Sequence, residues 1–181
     1  MRVVAGSAKG RRLAPVPPGT RPLSDRAREG LFSSLGEAVQ GARVLDLFAG
    51  TGANGIEALS RGSEHAVFVE KADAAIRALR SNLERTDLSD RAKVIKRDVL
   101  RFLRGSEPDP HGLVFLDPPW ATPPLTLDEL VEAVSAGWLG PGWTVVLHRP
   151  SKGYMPVIPV NWRVAKRLVY GDSVLALYRE V

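Results

Sequence analysis

Cysteine is absent from the 181 residues, which excludes disulfides and thiolate metal sites but leaves the compartment open. No apolar run approaches the roughly 18 residues of a membrane-spanning helix. The opening residues Met1 to Gly6 lack the apolar stretch of a secretion signal, so a cytoplasmic protein is expected. Histidine is scarce: His65, His111 and His148 stand far apart without ligand-type partners in sequence. No metal site is expected, and all three are assigned structural or surface roles. Acids are missing from residues 1–24, where Arg2, Lys9, Arg11, Arg12 and Arg21 all fall. The net charge of +5 therefore lies wholly in this arm, leaving 20 basic and 20 acidic residues to balance in the remaining 157. A basic arm on a neutral body suits a polyanionic partner, with a solvated tail as the plainer alternative.

What is present suits one domain: 44% of residues are apolar, enough for a core, and no internal repeat occurs. Residues 1–20 are expected to form a basic arm and 21–181 the body. Arg2–Gly6 and Arg11–Pro15 can pair as a hairpin around the polar turn Ser7-Ala8-Lys9-Gly10, and Val16-Pro17-Pro18-Gly19 breaks regular structure. Ser24 or Asp25 can cap a helix running to Leu35, with Ala27, Leu31 and Leu35 on one face and Gly36 as terminator.

From residue 42 strands and helices alternate. Strands are expected over 43–48, 66–70, 93–97, 113–116 and 144–147, and helices over 54–61, 73–85 and 127–136. That alternation implies a mainly parallel, doubly wound sheet with helices on both faces. Two further strand-like runs, 162–170 and 173–179, are joined only by Gly171-Asp172 and must form an antiparallel hairpin. This is the outline of a class I methyltransferase, although a fold alone does not establish a function.

The first strand leads into Asp46-Leu47-Phe48-Ala49-Gly50-Thr51-Gly52-Ala53-Asn54-Gly55, in which Gly50, Gly52 and Gly55 satisfy G-x-G-x-x-G at a strand-to-helix turn. Glu70 ends the second strand, 20 residues after Gly50, where a carboxylate can accept from both hydroxyls of a ribose. NAD and S-adenosylmethionine both fit these features. Asp46 favours the second, since its charge would face the cationic methionine portion and repel a pyrophosphate. Asp98, ending the third strand, is suitably placed for an adenine amino group. The expected cofactor pocket thus comprises Asp46, Phe48, Ala49, Gly50, Thr51, Gly52, Glu70, Lys71, Asp98 and Val99. A turn-forming glycine set, a helix-capping Asp98 and a strand-end Glu70 are the plainer alternatives.

The fourth strand ends in Leu116-Asp117-Pro118-Pro119-Trp120. Proline fixes its own φ and restricts the residue before it, so this turn holds one shape. Neither proline has an N–H, so the backbone there offers carbonyl oxygens. Asp117 adds a carboxylate and Trp120 a face for stacking; together the four residues can grip an exocyclic amine on a nucleobase. The alternative is an acidic loop with a packed tryptophan. Trp138, Trp143 and Trp162 are expected in the core.

With these motifs the chain resembles the bacterial 16S rRNA guanine-(2-amino) methyltransferases of the RsmD family. The shared segments are Arg2-Val3-Val4-Ala5-Gly6, Gly10-Arg11-Arg12-Leu13, Arg21-Pro22-x-x-Asp25-Arg26-x-Arg28-Glu29-x-Leu31-Phe32, Leu45 to Gly52, Glu57 to Gly62 and the Asp-Pro-Pro turn. The arginine-rich third segment distinguishes the family, whereas the glycine and Asp-Pro-Pro motifs are widespread. Trp120 stands where the family commonly has phenylalanine or tyrosine. The resemblance implies S-adenosylmethionine as cofactor and methylation of a guanine 2-amino group in small-subunit rRNA, folded with ribosomal proteins, by a monomer that needs neither metal nor membrane. Asp117, Pro118, Pro119 and Trp120 would hold the base. Arg2, Lys9, Arg11, Arg12, Arg21, Arg26 and Arg28 would hold phosphates, with Asp25 or Glu29 orienting the arginines. An adenine 6-amino methyltransferase, a nicotinamide-dependent enzyme and a non-catalytic RNA-binding assembly factor are the other readings.

Overall fold

In the computed structural model, residues 1–16 and 22–181 are described, so Arg21 and the expected linker at 17–19 lie outside the described residues. Seven strands form one sheet: β1 (Arg43–Leu47), β2 (His65–Glu70), β3 (Ala92–Lys96), β4 (His111–Leu116), β5 (Leu139–Pro150), β6 (Trp162–Tyr170) and β7 (Ser173–Glu180). Among the described residues five α-helices accompany them: α1 (Asp25–Leu35), α2 (Ala53–Ser60), α3 (Asp73–Thr86), α4 (Val99–Gly105) and α5 (Pro124–Ser135). The strand order is β3-β2-β1-β4-β5-β7-β6. Strands β1 to β5 are parallel, and β7 runs antiparallel between β5 and β6. The expected doubly wound class I methyltransferase architecture, with its terminal hairpin, is present.

Period-two alternation divides the core between the two faces of the sheet. Val44, Phe68, Leu113, Phe115 and Val146 pack with α1, α2 and α3. Leu45, Val67, Val114, Leu116 and Leu147 pack with α4 and α5. Trp138, Trp143 and Trp162 are buried in the second layer, as expected. Because β1 connects outward to β2 while β4 lies on its other side, the chain reverses direction between β1 and β4. Ligands bind at such a switch point, beyond the carboxyl ends of the strands.

Elements α4 and β5 differ most from the sequence reading. Helix α4 has no span in the sequence reading beyond the alternative of a helix-capping Asp98, which holds: Asp98 accepts from Arg101 N–H at 3.2 Å, and Val99, Phe102 and Leu103 anchor the helix. Strand β5 begins at Leu139 rather than 144, because Gly140-Pro141-Gly142 hides an extended segment that resumes pairing with β4 after an irregularity.

The arm is docked rather than free. Arg2 and Arg12 form a single antiparallel bridge, and Val3, Ala8 and Leu13 enter the first core. Helix α2 receives the arm: Ser7 N–H donates to the Ser60 carbonyl at 2.8 Å, Ala8 N–H to Ser60 Oγ at 2.9 Å, and Val4 and Ala5 N–H to the Glu57 carboxylate at 2.8 and 3.0 Å. At Gly6, with φ at +84°, an added Cβ would lie 1.8 Å from the Ser60 carbonyl oxygen. Gly6→Ala therefore combines left-handed strain with a backbone clash and is expected to cost about 1–3 kcal/mol. Limited trypsin digestion should then cut within residues 1–12 well before the wild-type protein is cut there. An unchanged digestion pattern would show that these contacts do not hold the arm.

Candidate active site

A cavity of about 590 Å³, within the range usual for small-molecule and cofactor sites, opens at the switch point. The β1–α2 loop forms one wall. Gly50 and Gly52 adopt φ of 56° and 81°, and Gly52 begins α2; a Cβ at Gly52 would lie 2.1 Å from Leu79 Cδ1. Phe48 also takes a left-handed φ of 58°, a conformation that costs a bulky residue energy and marks a constrained site.

Two carboxylates hold this loop in shape. Asp46 is buried at 2% exposure, and its Oδ2 accepts from Gly55 N–H at 2.9 Å. Glu70 Oε2 accepts from Gly50 N–H at 2.9 Å, while its Oε1 accepts from Lys71 and Ala72 N–H at 2.8 and 2.9 Å. A carboxylate offers about four lone-pair sites, so Glu70 keeps room for one further donor while bracing the loop. Burial pushes the Asp46 carboxyl well above the ordinary aspartate range; the charges of Asp117 and Glu70 push the same way, and the Gly55 hydrogen bond opposes them.

The opposite wall is the turn after β4. Asp117, Pro118, Pro119 and Trp120 all line the cavity that Asp46, Gly50 and Glu70 line. His148, on β5, places Nδ1 2.9 Å from Asp117 Oδ1, and its Nε2 lies 3.0 Å from Ser173 Oγ on β7. Because a carboxylate only accepts, this contact requires a proton on Nδ1, and it fixes one carboxylate oxygen. Asp117 Oδ2 has no hydrogen-bond partner among the described residues. Arg149, the next residue on β5, donates from Nη1 to the Pro119 carbonyl at 3.1 Å and from Nη2 to the Trp120 carbonyl at 3.2 Å. That fork clamps the turn and leaves the Pro118 carbonyl uncommitted among the described residues. Burial lowers the Arg149 guanidinium below its ordinary value, and the charge of Asp117 acts against that. The Trp120 ring stands edge-on to His148, 6.1 Å between centroids at 77°.

The protein-family model described as "Conserved hypothetical protein 95" matches residues 1–179. Ribosomal RNA small subunit methyltransferase D of Escherichia coli is 35% identical over 182 residues, covering 99% of this chain and 89% of that protein. The chain belongs to this family. The enzyme of the same name from Haemophilus influenzae is 33% identical and also covers 99% of the chain, with 93% of its own length matched. A solved Escherichia coli protein superposes with a TM-score of 0.87 at 33% identity, covering 99% of this chain and 97% of its own.

Within that family frame, most of the expected cofactor residues line the cavity: Asp46, Phe48, Ala49, Gly50, Thr51, Glu70, Lys71 and Val99. Gly52 instead caps α2 behind the loop. Asp98 does not line the cavity; one oxygen caps α4, and the other lies 3.7 Å from Lys71 Nζ. This strand-end carboxylate thus serves as the helix cap, the plainer of its two readings.

The expected RNA-binding residues divide. Arg2, Lys9, Arg11, Arg12, Arg26 and Glu29 are exposed. Asp25 takes Arg28 Nη2 on Oδ1 at 2.8 Å and lies 3.6 Å from Arg2 Nε. Arg28 departs from its expected place: its side chain is 0% exposed, so it cannot hold phosphates at the surface. It follows Ala27 onto the inner side of α1, one turn before Phe32 and two before Leu35, and is drawn into the core with them. His148, given only a structural or surface role, is buried and braces Asp117 directly. Arg149 carried no expectation at all. Among the described residues no cluster of three or more side chains could hold a metal, and no helix is long and apolar enough to cross a membrane.

Proposed function

We propose that this protein transfers a methyl group from S-adenosylmethionine to the 2-amino group of a guanine in small-subunit rRNA. The observation that carries this reading is the position of Asp117, fixed through Oδ1 by His148 and facing the same cavity as the Gly50 loop and Glu70.

The cavity suits this cofactor on its own chemistry. Asp46, Glu70 and Asp117 line one space and can face a sulfonium and an ammonium there. Glu70 retains acceptor capacity for a ribose hydroxyl, and the Gly50 loop permits close backbone approach. When bound, the cofactor supplies an already activated methyl group. The residues then have two tasks. Asp117 Oδ2 and the Pro118 carbonyl accept the two amine hydrogens, which draws the nitrogen lone pair from the ring toward the methyl carbon. Trp120 stacks on the base, a contact of about 1–3 kcal/mol. Asp117 would offset the positive charge growing on the amine nitrogen as it takes up the methyl group. The excess proton leaves to Asp117 or to water. The exposed cations of the arm hold phosphates and set register.

The test is incubation of the purified protein with labelled S-adenosylmethionine and small ribosomal subunits lacking the modification, followed by digestion to nucleosides. Label in N2-methylguanosine is the expected outcome. Label in N6-methyladenosine would transfer the same geometry to adenine, and no label with any RNA would sink the catalytic reading.

A further inference from the structure

Asn82 is a polar side chain where local preference calls for an apolar one. It lies on the inner face of α3 beside Leu79 and Leu83, and it is 0% exposed. Asparagine is a weak former of helix interiors, and a buried amide is costly unless its groups are paired. Here both ends are paired with distant backbone. Oδ1 accepts from the Ala14 N–H at 2.7 Å, and Nδ2 donates to the Thr51 carbonyl at 2.9 Å. One end of the amide thus holds the basic arm, and the other holds the cofactor loop. An uncharged amide carries an acceptor and a donor side by side, which this double contact requires. An apolar residue of the same volume would leave both backbone groups unpaired.

The arm and the loop meet a second time, at the cavity itself. Met1 and Val16 of the arm line the same space as Gly50 and Thr51. Helix α3 backs the loop directly, since a Cβ on Gly52 would lie 2.1 Å from Leu79 Cδ1. The same helix carries the arm: Arg11 Nη1 donates to the Arg85 carbonyl in its last turn at 3.1 Å. The side chains of Arg11 and Arg85 are both exposed, so one phosphate strand can engage arm and helix together. Release of the arm would remove Met1 and Val16 from the cavity wall and leave Asn82 Oδ1 without its donor.

We propose that Asn82 is a positioning residue that couples the arm to the cofactor loop. A docked arm steadies the loop through the Thr51 carbonyl, and an occupied cavity holds the arm down. This rests on the proposed function and adds a linkage between its two ligands, RNA on the arm and S-adenosylmethionine in the cavity. Each ligand strengthens binding of the other by the same factor, as any coupling between two sites requires. Asn82 and Thr51, 0% and 2% exposed, need touch no RNA for this.

Limited trypsin digestion with and without S-adenosylhomocysteine, the demethylated cofactor, reads the coupling without any RNA. In the wild-type protein, saturating ligand should slow cleavage within residues 1–12 by about 10-fold under conditions that leave the body uncut. Asn82→Leu keeps the volume and loses both hydrogen bonds. Its arm should be cut faster, the ligand should bind about 10-fold more weakly, and protection should fall below about twofold. A variant whose arm is cut faster yet is still protected about 10-fold would make Asn82 merely structural and overturn the inference. So would a wild-type arm cut equally fast with and without ligand. That comparison needs no variant, so it decides even where Asn82→Leu fails to fold. Small ribosomal subunits lacking the modification should in turn raise the affinity for the ligand. Protection of the arm without that rise would uphold the Asn82 link and overturn the arm's part in RNA binding. Failure of the wild-type protein to bind the ligand at all would overturn the cofactor reading and this inference with it.

Discussion

Asp117→Asn should reduce the rate of methyl transfer by about 10²- to 10³-fold, the cost of removing one preorganised group that stabilises developing charge. Asparagine keeps the shape of the side chain and can still accept from His148 Nδ1–H, so the turn should survive. What it loses is the negative charge facing the amine and one of two acceptors for its hydrogens. S-adenosylhomocysteine, which lacks the methyl group, should bind with nearly unchanged affinity, since the loop contacts through Glu70 and Gly50 are untouched. A fall in kcat with binding preserved is the mark of an interaction made mainly in the transition state. Loss of product affinity in parallel with rate would place Asp117 in cofactor binding instead, and an unchanged rate would remove it from the chemistry. The bracing by His148 and Arg149 makes the effect interpretable: both belong to β5, which pairs with β4 from Leu113 to Leu116, so the turn is held by the sheet and not by its own acid.

Much of this site is legible along the chain because its main parts are local. The Gly50 loop, Glu70 and Asp117 each sit at the carboxyl end of a strand whose apolar run announces it, and parallel pairing brings those ends together. What escapes the sequence is contact between distant residues. His148 reaches Asp117 across 31 positions, and Arg149 reaches Pro119 across 30; their neighbours Val145 to Leu147 read simply as a buried strand. A histidine followed by arginine at the end of an apolar strand is itself a weak indication, because polar side chains there face the crevice of a parallel sheet. Arg28 escaped for another reason. The face marked by Ala27, Leu31 and Leu35 also takes in residue 28 and Phe32, and Arg28 was assigned to the surface on its charge, not on its angular position. Helix α4, seven residues long, is too short to show a period.

Asp46→Asn is expected to have opposite effects on the empty and the loaded protein. Asparagine can keep the bond from Gly55 N–H through its carbonyl oxygen, so the variant changes charge more than shape. Burial raises the folded-state pKa of Asp46 above its unfolded value, so the native protein takes up a proton more readily than the unfolded chain. The sign follows: stability from this group is fully present below the ordinary aspartate value and is lost as pH rises through the raised folded value. At neutral pH the empty Asn variant should therefore melt at a higher temperature than wild type, and the difference should shrink in acid. Cofactor binding runs the other way, because a sulfonium and ammonium in the cavity favour the ionised carboxylate. Wild-type affinity for S-adenosylmethionine should rise with pH as Asp46 ionises, with a proton released on binding. In Asp46→Asn that slope should flatten, with affinity at neutral pH lower by on the order of 10- to 100-fold, the scale of one partly screened charge contact. Titrations in buffers of different ionisation enthalpy would count the released proton directly. A variant that melts lower than wild type and keeps the same pH slope would show that Asp46 serves the loop alone, and that the positive end of the cofactor is balanced by Glu70 and Asp117.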